Sequence, residues 1–379
     1  MKKLPLIECP HRIVAAWSQK LPVTGGGYAE SVDSSWRESS PASRLIVTQA
    51  RLAYTFCHCS LLDNANTELS RAASESIRRL MSVFWKPELR GWIHSVDAAG
   101  NPEDLTIDTY DQSFGLLALA WDFRVRGAAD SRDAARQAYA ALAEFAASSG
   151  GGYREQRPGG KPAQATAFSG LRRQDPHMHL FEACVAWHAC DPSGPWREGA
   201  REILRLLREK FRRPDGSLAA YFNDDLEPAP GGAGKIRIVG DHYEWAWLLG
   251  QYAKICGDNS VEKDAAGLYA FAEKHGKDKD GLVFSSVDPG GEVLDRNKLL
   301  WMQTEMLKAQ LAMYEWTHDA AFREAAEKTI LLISENYMYT PELFCNKLDA
   351  DGKPDASPTF TRLLYHFFVA VSEAARVLA

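Results

Sequence analysis

The sequence predicts an all-α protein in which pairs of helices recur about every sixty residues. Apolar residues repeat at i, i+3, i+4 and i+7 in segment after segment, whereas runs typical of strands are few and short. The segments alternate between aromatic-rich helices with polar residues on apolar faces and ordinary amphipathic helices. Because helix pairs must stack to bury their apolar faces, we expect six inner and six outer helices closed into a toroid, as one domain over residues 1–379.

The predicted helices form two sets. The inner set begins near residues 42, 108, 177, 241, 297 and 358, and most of its polar residues lie near the helix N-termini. The outer set covers 67–85, 130–147, 195–213, 261–275 and 319–337, with Arg, Lys and Glu on the solvent side. Helix N-termini collected at one end of a toroid favour a developing oxyanion there. Short strand-like runs at 217–222, 236–239 and 282–287 predict β-hairpin loops.

Composition narrows the class of protein. The net charge of -6 gives no basic footprint for nucleic acid, and no apolar run approaches the roughly 18 residues that span a bilayer. The first residues, MKKLPLIECPHR, contain Pro5, Glu8 and Pro10, which is not a secretory pattern. Seven cysteines, an odd number, indicate reduced thiols. We expect a cytoplasmic protein that binds a small molecule and not a membrane, and a homodimer stays open.

The segment from Gly240 to Trp247 carries the strongest functional signal. It holds two carboxylates, an imidazole and two indoles within about two helical turns. A core helix would have Leu or Ala at these positions. Aromatic faces cover the C–H surface of a sugar, and carboxylates and imidazoles bind hydroxyls and move protons. The pattern therefore favours a carbohydrate site.

Four further predicted inner helices carry polar residues of interest. Arg51 lies on an apolar face with Tyr54, and needs a partner or a ligand there; a structural ion pair is the alternative. Tyr110 and Asp111 open a helix for which Asp108 is the expected N-cap. The same reasoning selects residues of the C-terminal half: Trp301 and Glu305 at i, i+4, Gln303 to one side, and His366 within an apolar helix.

The segment DPHMHLFEA contains His177, His179 and Glu182. An H-x-H pair resembles a metal site, but after Pro176 the segment reads as helix, where residues i and i+2 point about 200° apart. Only His179 and Glu182 share a helical face. A buried histidine bonded to its neighbours is the alternative for either ring.

Taken in order, these motifs resemble the N-acylglucosamine 2-epimerase superfamily, and within it the branch of mannose isomerases and mannose-6-phosphate isomerase-like proteins. The motifs are R-x-x-Y, Y-D, DPHMHLFEA, G-D-H-Y-E-W-A-W-L-L, W-M-Q-T-E and Y-H, which extend from about residue 40 to 375. Each is weak alone, but six in order are specific. The resemblance implies an (α/α)6 barrel, in agreement with the periodicity.

The resemblance also implies proton transfer at C1 and C2 of an open-chain sugar, without metal or other cofactor. One group removes the proton next to the carbonyl to give a cis-enediol(ate), and a second returns a proton to C1 or C2. By resemblance, His366 is the C-terminal catalytic histidine, His179 helps to bind and open the ring, and Arg51 lies near the carbonyl oxygen. Glu244 and Glu305 hold hydroxyls or orient histidines. The remaining predicted substrate-binding residues are Tyr110, Asp111, His177, Trp301 and Gln303.

One departure concerns the second acid/base. The family pattern is G-H-x-x-E, but aligned on Glu244 this chain has Asp241 at the histidine position and His242 one residue later. One residue on a helix rotates a side chain by about 100°. Three alternatives stay open: Asp241 replaces the histidine, His242 reaches the site from a distorted helix, or the protein binds sugars with weakened catalysis.

The substrate is predicted from the branch. Isomerisation of a D-mannose/D-fructose type sugar is favoured by two motifs typical of this branch, W-x-Q-T-E and E-W-A-W-L-L. The alternatives are a 2-epimerase of the N-acylglucosamine or cellobiose type, a mannose-6-phosphate isomerase, or a sugar-binding homologue. A glycoside hydrolase with carboxylates such as Asp111 and Glu305 is a rival class, which leaves His179 and His366 unexplained. The basic loop 148–176 could meet a phosphate or be a solvated charge run.

Overall fold

The computed structural model describes residues 5–8, 10–39, 43–147, 150–157 and 170–378. These residues form α-helices, joined by short strands and single turns of 3-10 or π-helix. The helices are α1 Pro5–Glu8, α2 Pro10–Lys20, α3 Ile46–Leu62, α4 Thr67–Arg79, α5 Thr109–Arg126, α6 Ala129–Ala141, α7 Asp175–Cys190, α8 Trp196–Leu206, α9 Val239–Cys256, α10 Glu262–His275, α11 Leu300–Thr317, α12 Ala320–Tyr337 and α13 Leu364–Leu378. The predicted all-α class is confirmed.

Two kinds of helix alternate, as the sequence predicts. Helices α3, α5, α7, α9, α11 and α13 are buried on nearly every face, including most polar residues of their N-terminal turns. Helices α4, α6, α8 and α12 bury one stripe each and carry their charged residues outside it. A helix that is apolar all round must lie inside the protein, whereas an amphipathic helix covers it.

The chain folds into two compact units. The first contains the described residues of Met1–Ala16, Arg212–Ala220 and Lys235–Ala379, and the second contains Trp17–Phe211 and Tyr221–Gly234. In the first unit α11 packs against α9, α12 and α13, and α9 packs against α10. In the second unit α5 packs between α3 and α7, and each of these inner helices has its own outer partner, α4, α6 or α8. The single domain over 1–379 stays a prediction.

Short strands precede most inner helices. They are β1 Val23–Thr24, β2 Gly27–Tyr28, β3 Ser31–Val32, β4 Arg44–Leu45, β5 Trp85–Lys86, β6 Gly91–Trp92, β7 Ser95–Val96, β8 Pro102–Asp104, β9 Arg172–Arg173, β10 Tyr221–Phe222, β11 Arg237–Ile238, β12 Ser286–Val287, β13 Val293–Asp295, β14 Lys298–Leu299, β15 Lys347–Leu348 and β16 Thr359–Phe360. Antiparallel pairing gives β1-β2, β4-β7-β8, β5-β6, β9-β10, β11-β12-β13 and β14-β15. The chain passes directly from β4, β11 and β14 into α3, α9 and α11, which fixes the first turn of each helix beside a hairpin.

The predicted elements and the observed ones differ mainly at their ends. Helix α3 begins at Ile46 and not near 42, because Arg44 and Leu45 form β4. The proline-interrupted start of the chain contains α1 and α2, which the sequence reading missed; each begins at a proline, whose fixed φ suits the first helical position. Asp108 caps α5 as predicted, by accepting hydrogen bonds from the N–H groups of Tyr110 and Asp111.

The described residues bear on the expectations about membrane-spanning helices and about cysteine thiols. Among them, no helix combines the length and the apolar character that a membrane crossing requires. The six cysteines in this part of the chain are all free thiols, and Cys57 and Cys59 are buried.

Candidate active site

One polar side chain in the first turn of several inner helices is bonded to the backbone of a hairpin. Gln49 bonds the N–H and the carbonyl of Tyr28, and Gln112 does the same with Trp92. Gln303 bonds the N–H and the carbonyl of Val283. These contacts stabilise the hairpin against the helix, because buried backbone polar groups must be paired. We call this position the tether.

Histidine fills the tether position in α7 and α9. Nε2 of His177 accepts from the N–H of Tyr153 at 2.9 Å, and Nε2 of His242 accepts from the N–H of Leu218 at 2.8 Å. Their Nδ1 atoms lie 3.2 Å and 2.8 Å from the carbonyl oxygens four residues earlier. A carbonyl only accepts, so each Nδ1 carries the hydrogen and each ring is neutral.

Burial keeps both tether histidines in the neutral form. It lowers the pKa of His177 to about 3, helped by the nearby Arg172 guanidinium, and the pKa of His242 to about 4. A proton on Nε2 would also remove the acceptor for the backbone N–H. His177, His242 and Gln303, predicted from the sequence as site residues, therefore act as hairpin tethers.

The residue two positions after each tether has a different environment. These residues are Arg51, Phe114, His179, Glu244 and Glu305, all of them buried. Positions i and i+2 of a helix point in nearly opposite directions, so the tether faces the hairpin and its partner faces elsewhere. This spacing explains the motifs H-x-H and Q-x-E. The first named residue bonds the hairpin, and the last one faces away from it and is the site candidate.

In the first unit, α11 and α13 bring a histidine against a carboxylate. Nδ1 of His366 lies 2.7 Å from Oε1 of Glu305, and the two side chains are 5% and 0% exposed. An ionised carboxylate only accepts, so Nδ1 of His366 carries the hydrogen and Nε2 is the atom that can take or give a proton. This arrangement is what a general base and its orienting partner require.

Helix α9 adds one carboxylate to this cluster and carries a second one turn earlier. One oxygen of Glu244, one oxygen of Glu305 and a ring nitrogen of His366 all lie within 4.8 Å of one another. Asp241 is buried and lies three residues before Glu244, close to the same helical face. Glu244, Glu305 and His366 thus form one cluster, which we call the proton-transfer cluster.

Tryptophan and tyrosine rings border the proton-transfer cluster. The ring of Trp301 lies 5.5 Å from that of His366, and Tyr365 contacts the same imidazole edge-to-face at 4.8 Å. Gly240 allows Trp301 to occupy this place, because a Cβ atom there would lie 2.5 Å from the indole. The G-D-H-Y-E motif therefore contains a close-packing position, two acidic residues and a tether.

The second unit holds the remaining predicted residues. The Arg51 guanidinium donates to the hydroxyl of Tyr110 at 2.9 Å and lies 4.3 Å from the centre of the Phe114 ring. Nδ1 of His179 lies 3.3 Å from Oε2 of Glu182, and its ring contacts Phe114 at 4.4 Å. Arg51, Tyr110 and His179 thus converge on one aromatic ring, which gives a cation, a hydroxyl and an imidazole around a flat apolar surface.

Asp111 has a partner that the sequence reading missed. Nδ1 of His94 lies 2.7 Å from Oδ2 of Asp111, and this contact raises the pKa of His94 to about 9. Burial raises the pKa of Asp111 itself, against the effect of the imidazole. His94 follows the strand pair β5-β6 and has no spacing signal of its own, so only its contact with Asp111 identifies it.

Three arginines of the basic loop, Arg157, Arg172 and Arg173, are bonded to neighbouring groups. Arg173 pairs with Glu155 at 2.8 Å and Asp175 at 3.3 Å, and Arg157 pairs with Glu144 at 3.1 Å. Arg172 donates to backbone carbonyl oxygens, among them that of Gly151 at 2.7 Å. Lys161 of the same loop lies outside the described residues. The paired arginines give no preference for a phosphate.

The chemistry of the proton-transfer cluster can be compared with that of a metal site. Two carboxylates and an imidazole are ligands that a divalent cation accepts. Here, however, Nζ of Lys308 lies 2.7 Å from Oε2 of Glu305, so an ammonium already neutralises that carboxylate. The cluster fits proton transfer better than metal binding. Lys308 was also missed by the sequence reading, although a lysine on an apolar inner helix is itself a signal.

Sequence comparison adds the family context. The profile described as N-acylglucosamine 2-epimerase (GlcNAc 2-epimerase) matches residues 27–370. A mannose-6-phosphate isomerase of Rhizobium meliloti (strain 1021) is 30% identical, over 94% of this chain and 92% of that protein. A cellobiose 2-epimerase of Dictyoglomus turgidum (strain DSM 6724 / Z-1310) is 22% identical, over 80% of this chain and 79% of that protein.

Solved structures share the fold. The cellobiose 2-epimerase of Bacillus thermoamylovorans B4167 superposes with a TM-score of 0.86 at 20% identity, covering 97% of this chain and 98% of that one. A D-mannose isomerase superposes with a TM-score of 0.85 at 20% identity, covering 98% of this chain and 97% of that one. At this level of identity the likeness establishes the fold.

Proposed function

Because the chain belongs to the N-acylglucosamine 2-epimerase family, we propose that it interconverts an aldose and a ketose of the D-mannose/D-fructose type. Membership of the family, and with it the class of carbohydrate isomerases and epimerases, was predicted from the motifs and is confirmed. The preference for isomerisation of a free hexose rests on the sequence pattern of the branch.

The observation that carries the proposal is the hydrogen bond between Glu305 and His366. A base that removes a proton next to a carbonyl must be oriented and must lose and regain its proton readily. With Nδ1 held by Glu305 at 2.7 Å, His366 exchanges protons through Nε2 alone. In the forward direction Nε2 takes the C2 proton of the open-chain aldose, and the electron pair moves onto the carbonyl to give the cis-enediolate.

A second group must complete the proton transfer. His242 is the weaker candidate because both of its nitrogens are bonded to backbone groups. Asp241 has a carboxyl group at the position of the family histidine, on the α9 face of Glu244, and carboxyl groups do this work in other isomerases. We therefore assign the second acid/base role to Asp241, which as the carboxylic acid gives a proton to C1 while the hydroxyl proton on O2 passes to O1 and C2 becomes the carbonyl carbon. Return to C2 from the opposite face would instead give epimerisation.

The binding residues are proposed on the basis of the sequence pattern. Arg51 is assigned to the carbonyl and enediolate oxygens, since a guanidinium stabilises the negative charge that develops there. Tyr110, Asp111 and His179 are assigned to sugar hydroxyls. The aromatic ring of Trp301 in the first unit is assigned to the C–H surface of the sugar.

A second candidate is a mannose-6-phosphate isomerase, which the relative of that name at 30% identity favours. Its substrate differs only in the phosphate, so the same proton transfers apply. The paired arginines of the basic loop do not favour it, and the two candidates are separated by experiment.

The test is proton NMR of the purified protein with D-mannose in D2O, with D-fructose, mannose 6-phosphate and cellobiose in parallel. We expect fructose to appear from mannose, with deuterium entering C1 or C2. Conversion of mannose 6-phosphate alone would transfer the assignment to the second candidate. Epimerised cellobiose without fructose would assign a 2-epimerase, and binding without exchange of any sugar would contradict the enzymatic proposal.

A further inference from the structure

Lys308 is a buried cation on the inner helix α11. Its side chain is 0% exposed, and its Nζ lies 2.7 Å from Oε2 of Glu305. The ammonium also lies 3.9 Å from the centre of the Trp247 ring, close enough for a cation–π contact. A buried ammonium is costly unless it is paired, so this lysine occupies its place because of the carboxylate.

The carboxylate of Glu305 thereby connects two groups. Oε1 contacts Nδ1 of His366 at 2.7 Å and Oε2 contacts Nζ of Lys308 at 2.7 Å. The geometry points to Lys308 as a positioning residue that keeps Glu305 ionised and so sets how readily His366 takes and releases a proton. This inference rests on the proposed function in one respect only, namely that the proton taken by His366 comes from the sugar.

The effect of Lys308 on His366 follows from the charges of Lys308, Glu305 and His366. With Lys308 protonated, Glu305 ionised and His366 neutral, the group has no net charge. Without the ammonium, the buried pair of Glu305 and His366 loses the positive charge that lies 2.7 Å from Oε2 of Glu305. It would then hold a proton more tightly, since a nearby charge moves a pKa by about 1–3 units. An isomerase must return its proton in both directions, so a base that holds it too tightly is slow.

The other charged groups near this pair act in the same direction. Glu244 on α9 is the charged residue of the neighbouring helix that lies within 4.8 Å of the pair. Asp241 lies one turn earlier on α9. The buried residues of α12, which packs on α11 and α13, are uncharged: Ala326, Thr329, Ile330, Ile333 and Tyr337. Lys308 thus brings a positive charge to within 2.7 Å of a carboxylate of this acidic cluster.

The experiment compares Lys308→Met with Lys254→Met. Methionine keeps the length of the side chain and removes the charge. Lys254 is a matched control, because its Nζ lies 2.5 Å from Glu315 but its side chain is 40% exposed. The first readout is the proton NMR titration of the His366 ring Cε1–H in the absence of sugar, assigned by its loss in His366→Gln. The second is the pH profile of kcat and KM on the substrate found above.

We expect the His366 titration in Lys308→Met to move upward by about one pH unit or more, and the acidic limb of kcat/KM to follow it. At a pH below the acidic limb, kcat/KM of the variant should be about tenfold lower than that of the wild type for each pH unit by which the limb has moved. KM should be nearly unchanged because Lys308 is buried. Lys254→Met should leave both readouts in place, and Lys308→Arg should restore them. In a Glu305→Gln background the lysine substitution should have little further effect.

An unmoved His366 titration, or an equal effect in the Glu305→Gln background, would overturn the inference. Should Lys308→Met fail to fold, Lys308→Gln keeps a hydrogen-bond donor to Glu305 without the charge and serves for the same comparison. The titration needs no turnover. If it moves while no sugar is converted, the inference on Lys308 holds and the proposed function fails.

Discussion

Nε2 of His242 accepts a hydrogen bond from the backbone N–H of Leu218, at 2.8 Å. With Nδ1 bonded to the carbonyl oxygen of Ile238, the ring has no nitrogen left for a sugar proton. The same position is occupied by Gln49, Gln112 and Gln303 in other inner helices. His242, the histidine of the strongest sequence motif, is therefore a weak candidate for proton transfer. Asp241 is the better candidate.

We predict that His242→Gln retains activity within a few-fold of the wild type. A glutamine oxygen can accept from the N–H of Leu218 as it does at the other tethers, so the hairpin stays in place. The measurement is kcat/KM on the sugar identified by NMR, with thermal melting as the control for folding. If His242 were the acid/base, the loss would instead be about 10²–10⁴-fold.

Asp241→Asn should show the opposite behaviour. The amide preserves shape but cannot donate or accept the transferred proton, so we expect kcat to fall by about 10²–10⁴-fold with a small change in KM. Deuterium exchange in D2O is the more informative measurement. Exchange at C2 that continues without ketose formation would indicate that His366 still works alone, whereas an unaffected kcat would remove Asp241 from the mechanism.

Gly240→Ala tests the packing of Trp301. An added Cβ would lie 2.5 Å from the indole, nearer than two carbon atoms can approach, so the ring must move. Because Trp301 borders His366, we expect KM to rise and kcat to fall, with a loss of about 1–3 kcal/mol in unfolding free energy. Gly250→Ala is the control on the same helix, since its nearest atom would be 3.4 Å away. Equal effects at both glycines would contradict the prediction.

The contact between His94 and Asp111 should make stability depend on pH. The contact raises the pKa of His94 from 6.5 to about 9, so its stabilising effect is complete below pH 6.5 and is lost as the pH rises through 9. His94→Gln should therefore lower the unfolding free energy more at pH 7 than at pH 10, by urea denaturation. In an Asp111→Asn background, His94→Gln should lower the unfolding free energy equally at pH 7 and pH 10. If the effect still differs between the two pH values, His94 interacts with another partner.

Exhaustive chelation should leave turnover unchanged. The carboxylate of Glu305 is neutralised by Lys308 and bonded to His366, which leaves the proton-transfer cluster poorly suited to hold a divalent cation. The measurement is the rate of isomerisation before and after dialysis against EDTA, followed by readdition of Mg²⁺, Mn²⁺ or Zn²⁺. A rate lost on chelation and restored by one ion would restore the metal interpretation.

The helical periodicity was enough to find the inner and outer helices to within a few residues. It failed at α1 and α2, where prolines that begin helices looked like breaks. Motif order also placed Glu244, Glu305 and His366 among the site residues, and the structure joins them in one cluster. Periodicity and motifs succeed here because both reflect local geometry: 3.6 residues per turn and the chemistry of each side chain.

The sequence by itself determined the all-α class, the family and the residues able to move protons or bind hydroxyls. Only the tertiary structure showed which histidine bonds a hairpin and which carboxylates lie beside His366. A rotation of 100° per residue sends His242 to a hairpin and leaves Glu244 facing His366. Partners such as Lys308 for Glu305, three residues apart, and His94 for Asp111, seventeen apart, depend on burial and long-range packing. The i, i+3 spacing of Glu305 and Lys308 permits their contact, but spacing along the chain encodes neither its burial nor the contact of His94 with Asp111, because the energy of a charge is set by what surrounds it in space.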